Sequence, residues 1–95
     1  MLVQIPVGTK DKNGELLEPE RRERVARAVA TTAGGLTRWG TRGLWINSAG
    51  EMVGEAGEIW MIELEDQDQL TFIQNLIKID LCQEEVISWP ISLME

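Results

Sequence analysis

Residues 34–65 read GGLTRWGTRGLWINSAGEMVGEAGEIWMIELE, and the fold turns on how this stretch divides. Leu36 to Asn47 is rich in β-branched and aromatic residues and predicts a strand. Alternation puts Trp39, Thr41, Gly43 and Trp45 on one face of it and Arg38, Gly40, Arg42, Leu44 and Ile46 on the other. Asn47-Ser48-Ala49-Gly50 has the residues of a hairpin turn. Met52 to Glu65 returns as the partner strand, with Gly54 and Gly57 predicting a bulge or kink before the stronger segment Ile59–Leu64.

Working outward, Gly34-Gly35 is a helix stop, because a left-handed cap favours a residue without Cβ. The helix it ends begins near Pro19, with Glu18 and Glu20 suited to the positive end of the dipole. Val25, Ala28, Val29, Thr32 and Ala33 form its expected inner face, and Glu20/Arg24 and Glu23/Arg27 its i,i+4 ion pairs. Upstream, Lys10 to Gly14 is a polar connection turning at Asn13-Gly14, and Leu2–Val7 is a first strand. Pro6 lacks an N–H and implies a strand end or bulge there. Downstream, Asp66 and Asp68 cap a second helix whose stripe is Leu70, Ile73, Leu76, Ile77 and Leu81, with Phe72 on its margin. Gln83-Glu84-Glu85 leads into a last strand, Val86–Met94, in which Pro90 marks an edge.

The order β–α–β–β–α–β predicts an α+β, ferredoxin-like sandwich: one domain over residues 1–95, a four-stranded antiparallel sheet with two helices on one face. Helices on one side leave the other sheet face open. They do not readily bury Trp39, Trp45, Trp60 and Trp89 together. The expectation is a homo-oligomer, trimer or dimer, with one or more of these tryptophans at the interface.

Composition narrows the chemistry. The 95 residues include one Cys and no His or Tyr. Nucleophile–histidine pairs and histidine metal sites are therefore excluded, and Cys82 cannot form an internal disulfide. Acid–base work would fall to carboxylates, Lys10, Lys12, Lys78 or Cys82. No segment has the length and apolarity of a membrane span or a secretory signal, which predicts a cytoplasmic protein with no membrane partner. The net charge of −7 argues against nucleic acid as a partner. That charge is uneven: residues 1–47 hold eight Lys/Arg and five Asp/Glu, whereas residues 48–95 hold Lys78 and eleven acids. Opposed halves favour self-association.

Candidate site residues cluster at the hairpin. Arg38 and Arg42 suit a phosphate or carboxylate, Gly40 and Gly43 offer backbone donors, and Trp39 or Trp45 a cleft wall. The plainer reading of the segment is a helix cap followed by a twisted strand. Glu55 is expected across from Arg42, and Glu51, Glu55 and Glu58 as a solvated rim with a cross-strand ion pair. Glu63, Glu65, Asp66 and Asp68 crowd together without the loop spacing of a calcium site, and capping accounts for the two aspartates without a metal. Arg21, Arg22, Arg24 and Arg27 make a basic patch on the first helix, neutralised by Glu18, Glu20 and Glu23. Cys82 reads as a small buried hydrophobe.

Gly35-Leu36-Thr37, Gly43-Leu44-Trp45, Gly50 with Val53 and Glu55, and Gln83-Glu84-Glu85-Val86 form a sparse pattern. It resembles that of a group of small bacterial proteins of unassigned function. In size and element order the chain is more broadly similar to the PII-like superfamily. That resemblance implies trimers with small effectors in clefts between subunits near the β2–β3 loop, where Arg38, Arg42 and the hairpin 47–55 stand. The long loop of signalling PII proteins is replaced here by a short turn. The resulting expectation is a non-enzymatic, cofactor-free oligomer that binds a small anionic effector or a protein partner. Two alternatives are an enzyme of the dimeric α+β barrel type, using Glu55 or Glu63 in a Trp-lined cavity, and an acidic protein that docks on a basic partner.

Overall fold

Val3, Ile5 and Val7 alternate with partly exposed neighbours along β1 (Leu2–Gly8), the signature of a strand with one face in the core. The computed structural model describes residues 1–91 and orders the remaining elements as α1 (Pro19–Ala33), β2 (Thr37–Ile46), β3 (Met52–Glu63), α2 (Gln67–Asp80) and β4 (Trp89–Pro90). The sheet order is β2-β3-β1-β4, antiparallel throughout, and the fold is the expected ferredoxin-like α+β sandwich. Both helices lie over the face that carries Val3, Ile5, Trp60 and Ile62. The core is closed by Leu17, Val25, Ala26 and Val29 from the first half and by Leu64, Leu70, Ile73, Ile77 and Leu81 from the second.

Local signals place the helix ends. Gly34 sits at φ 87° and donates its N–H to the Ala30 carbonyl, closing α1. Asp66 caps α2 by accepting from the Gln69 N–H at 2.9 Å. The β2–β3 turn is held by Asn47, whose side-chain oxygen accepts from the N–H groups of Ala49 and Glu51, with Gly50 at φ 79°.

Several expectations change. The inner face of α1 is rotated: Ala26 is buried, whereas Ala28 and Thr32 are exposed, because the helix leans its Val25–Val29 ridge on the sheet. Of the two expected ion pairs, Glu23–Arg27 forms at 3.7 Å, and Glu20–Arg24 is not found among the described residues. β3 has no bulge; its register with β2 runs unbroken from Thr37↔Met61 to Ile46↔Met52. Gly54 instead leaves room for the Arg42 guanidinium, which a Cβ there would meet at 3.0 Å. Gly57 permits a close strand approach, since its Cβ would lie 3.1 Å from the Val7 carbonyl oxygen.

Among the described residues the last strand spans Trp89–Pro90, and Ser92–Met94 of the expected strand lie outside them. Pro6 is inside β1, not at an end or a bulge. The Leu2 carbonyl accepts from Ile91 on the β4 side, and backbone polarity alternates along a strand, so Pro6 faces the same side beyond the reach of β4. Its missing donor falls where no acceptor stands.

Candidate functional site

The sheet divides the residues that the sequence grouped. Ile5, Trp60 and Arg38 are cross-strand neighbours, so Arg38 faces the helices, and Gly40 and Arg42 share that side. Trp39, Gly43, Trp45 and Glu55 point to the opposite, uncovered face. No single pocket can collect both arginines and both tryptophans from one protomer.

Arg38 is held by two carboxylates. Its Nε donates to Glu58 Oε1 at 2.7 Å, its Nη2 to Glu58 Oε2 at 3.2 Å, and its Nη1 to Glu23 of α1. The guanidinium carbon also lies 5.7 Å from the centre of the Trp60 ring. Arg22 Nε approaches the same carboxylate, 3.4 Å from Glu58 Oε2. Burial alone would push the Glu58 carboxyl up. The hydrogen bonds and charge of Arg38, with the charge of Arg22, outweigh it and hold Glu58 below its ordinary value. The Trp60 indole N–H is buried without a hydrogen bond of its own, yet lies near enough to favour the charged carboxylate. Bonding to Glu58 raises Arg38 above its ordinary value. Glu58, expected on a solvated rim, is thus the partly buried centre of an ion network that ties α1 to β2 and β3.

Arg42 stands opposite Ala56, not Glu55, and the expected cross-strand pair does not form: register puts the two side chains on opposite faces. Arg42 is exposed. Glu63 is exposed too, its carboxylate 3.2 Å from the Met1 nitrogen. Cys82 is half-buried, with Arg21 Nη2 3.3 Å from its sulfur and a backbone φ of 48°. No group of His, Cys, Asp or Glu suited to a metal ion occurs among the described residues.

The uncovered face has two features. Along its middle, Trp39 pairs across with Ile59, Trp45 with Val53, and Trp89 with Gln4, whose Oε1 accepts from the indole N–H at 2.8 Å. Trp39, Trp45 and Trp89 are 40%, 50% and 39% exposed, whereas Trp60 is fully buried, so three of the four tryptophans belong to this face. At its hairpin end lies a shallow groove of about 240 Å³. Gly8, Gly57 and Gly43 leave its floor without side chains, and Thr41, Trp45 and Glu55 form its sides. The sequence pointed to Gly43, Trp45 and Glu55. Gly8 and Thr41 were missed, because a glycine at a strand end carries no signal beyond chain reversal.

The hairpin tip is apolar on both sides. Leu44, Ile46 and Met52, on the helix side of the sheet but beyond the helices, are 66%, 59% and 69% exposed. No helix among the described residues is long and apolar enough to cross a membrane.

No protein-family profile and no curated protein matches the chain. Solved structures do. CutA1, a divalent cation tolerance protein from Thermus thermophilus, is 15% identical with a TM-score of 0.64, over 99% of this chain and 85% of that one. A phage SAM lyase in complex with S-methyl-5'-thioadenosine is 21% identical with a TM-score of 0.60, over 92% of this chain and 76% of that one. The Bacillus subtilis GlnK–ATP complex is 14% identical with a TM-score of 0.57, over 96% and 83%. At these identities the likeness is one of fold.

Proposed function

We propose that the chain works as a self-associating, non-enzymatic effector-binding protein of the PII-like kind. Copies meet across the uncovered sheet face, and a small effector sits in the groove at the root of the hairpin. The observation that carries this reading is the face itself: Trp39, Trp45 and Trp89, with Ile59 and Val53 beside them, are left part-exposed by both helices. Two proteins of similar fold were solved with adenosine-containing ligands, ATP in one and S-methyl-5'-thioadenosine in the other, which supports a small-molecule role for the fold here. An anionic effector held by Arg38 finds little support in this geometry, because two carboxylates already neutralise that guanidinium. Arg42, on the same side of the sheet as Arg38 and opposite to the groove, is exposed and is the one of the two available to an anion. The enzymatic alternative requires a desolvated carboxylate, and Glu55 and Glu63 are both exposed in the protomer. A single free thiol, Cys82, fits a cytoplasmic setting for one folded domain.

Light scattering coupled to gel filtration tests the assembly. The expected mass is a whole multiple of 10.7 kDa, and the double variant Trp39→Glu/Ile59→Lys is expected to run as a folded monomer by circular dichroism. A wild-type monomer at tens of micromolar overturns self-association. A thermal-shift screen that includes ATP and S-methyl-5'-thioadenosine tests the effector role, which falls if no compound raises the melting temperature.

A further inference from the structure

We propose that the floor of the groove at Gly8 receives a primary ammonium group carried on a small organic molecule. The inference deepens the effector reading and rests on it for the groove being a ligand site.

A side chain starting at Gly8 would find only oxygens as its three nearest neighbours. They are the Lys10 carbonyl at 3.8 Å and Glu55 Oε1 and Gln83 Oε1, each at 3.9 Å from the Cβ position. These atoms come from the β1–α1 connection, from β3 and from the turn after α2, so the fold brings together what the sequence keeps apart. The orientation of the Gln83 amide is fixed. Its Nε2 donates to the Lys10 carbonyl at 3.0 Å and to the Leu81 carbonyl at 2.8 Å, which leaves Oε1 as the atom turned to Gly8. Among the described residues Glu55 enters no hydrogen bond or ion pair, and Gln83 Oε1 accepts none. No cation of the chain is paired there either, since the ion pairs use the Met1 nitrogen, Arg22, Arg27 and Arg38.

Chemistry follows from this set. One carboxylate and two neutral acceptors, with no donor among them, repel an anion and offer three acceptors to the three N–H bonds of an alkylammonium. A hard metal ion asks for six or more oxygens, and a single carboxylate with two neutral oxygens falls short. Trp45 stands on the same sheet face, diagonal to Glu55 across the β2–β3 ladder, so its ring can support the apolar body of the ligand and favour the cation.

Gly8 supplies a discriminating variant. Its backbone is not in the left-handed region, and a methyl there would make ordinary contacts at 3.8–3.9 Å. Gly8→Ala should therefore fold normally while filling the space the ammonium needs. The test is a titration of the ¹⁵N-labelled full chain at neutral pH with phenethylammonium, and with 2-phenylethanol and phenylacetate as its neutral and anionic counterparts. Phenethylammonium is expected to shift the amides of Gly8, Glu55 and Gln83 saturably. Gly8→Ala and Glu55→Gln are each expected to weaken that binding at least tenfold, with melting temperatures unchanged. Phenylacetate binding at the same amides as tightly as phenethylammonium would overturn the ammonium assignment and leave the groove as an effector site. No saturable shift with any of the three overturns the assignment too, and the effector reading then stands or falls on the thermal-shift screen. Equal binding by the wild type and both variants would show that the amine sits elsewhere, and the proposal fails.

Discussion

The Glu58 carboxylate links α1 to β2 and β3 through two arginines. Three basic nitrogens converge on its carboxylate, two from Arg38 and one from Arg22. Glu58→Gln keeps the shape but loses the charge, and it is expected to lower stability by about 1–3 kcal/mol in urea denaturation, the scale of hydrogen bonds to charged groups. The pH dependence has a definite sign. A carboxyl held below its ordinary value of 4.5 stabilises the folded state above that value and ceases to do so as pH falls through the lowered one. The wild type should therefore lose stability between about pH 5 and pH 3 more steeply than Glu58→Gln, as read from melting temperatures across that range. Local chemistry was legible at this scale, as with the Asp66 cap and the Gly34 stop. Pairings across elements were not. Arg38 looked like a hook for an anion because its partners, Glu58 and Glu23, reach it only once β3 registers and α1 docks. Gln83 joins Gly8 and Glu55 for the same reason.

Strand β3 shows how one element serves two neighbours at once. Gly57 lies between Gly8 and Thr41, and a Cβ there would press on the Val7 carbonyl at 3.1 Å and on Thr41 Oγ1 at 3.4 Å. Gly57→Ala is expected to destabilise by about 1–3 kcal/mol through overpacking against backbone, whereas Gly40→Ala, where the added methyl meets nothing within 4 Å, should be nearly neutral. Equal melting temperatures for the two variants would refute the close-approach account. Periodicity was enough to read the order and approximate limits of β1, α1, β2, β3 and α2, because each carries its own turn or cap residues. It started β4 too early: apolar residues such as Val86 and Ile87 resemble a strand, but among the described residues β1 pairs with Trp89 and Pro90. The bulge expected at Gly54 and Gly57 failed on a related point. A glycine in a strand can mark a neighbour's approach as well as a bend.

At the scale of the whole molecule, the two sheet faces differ in kind: one is covered by helices over its centre and holds Trp60, the other carries Trp39, Trp45 and Trp89 in part-exposed positions. If copies join through the second face, tryptophan emission should shift to shorter wavelength as concentration rises. Dilution should reverse the shift, and emission independent of concentration would argue that these rings do not enter an interface. The excess of acids in residues 48–95 over residues 1–47 adds a salt-sensitive contribution, which light scattering at low and high salt would measure. The order of pairing also has a consequence in time. β1 lies inside the sheet, yet both of its partners, β3 and β4, come later in the chain, whereas β2 and β3 are joined by a short turn. During synthesis at about 5–20 residues per second, β1 waits on the order of 3–10 s before Gly57 to Glu63 emerge to pair with it. Through that interval a strand with Val3, Ile5 and Val7 on one side has both edges open to any neighbouring chain, and Pro6 is the residue that blunts one of them.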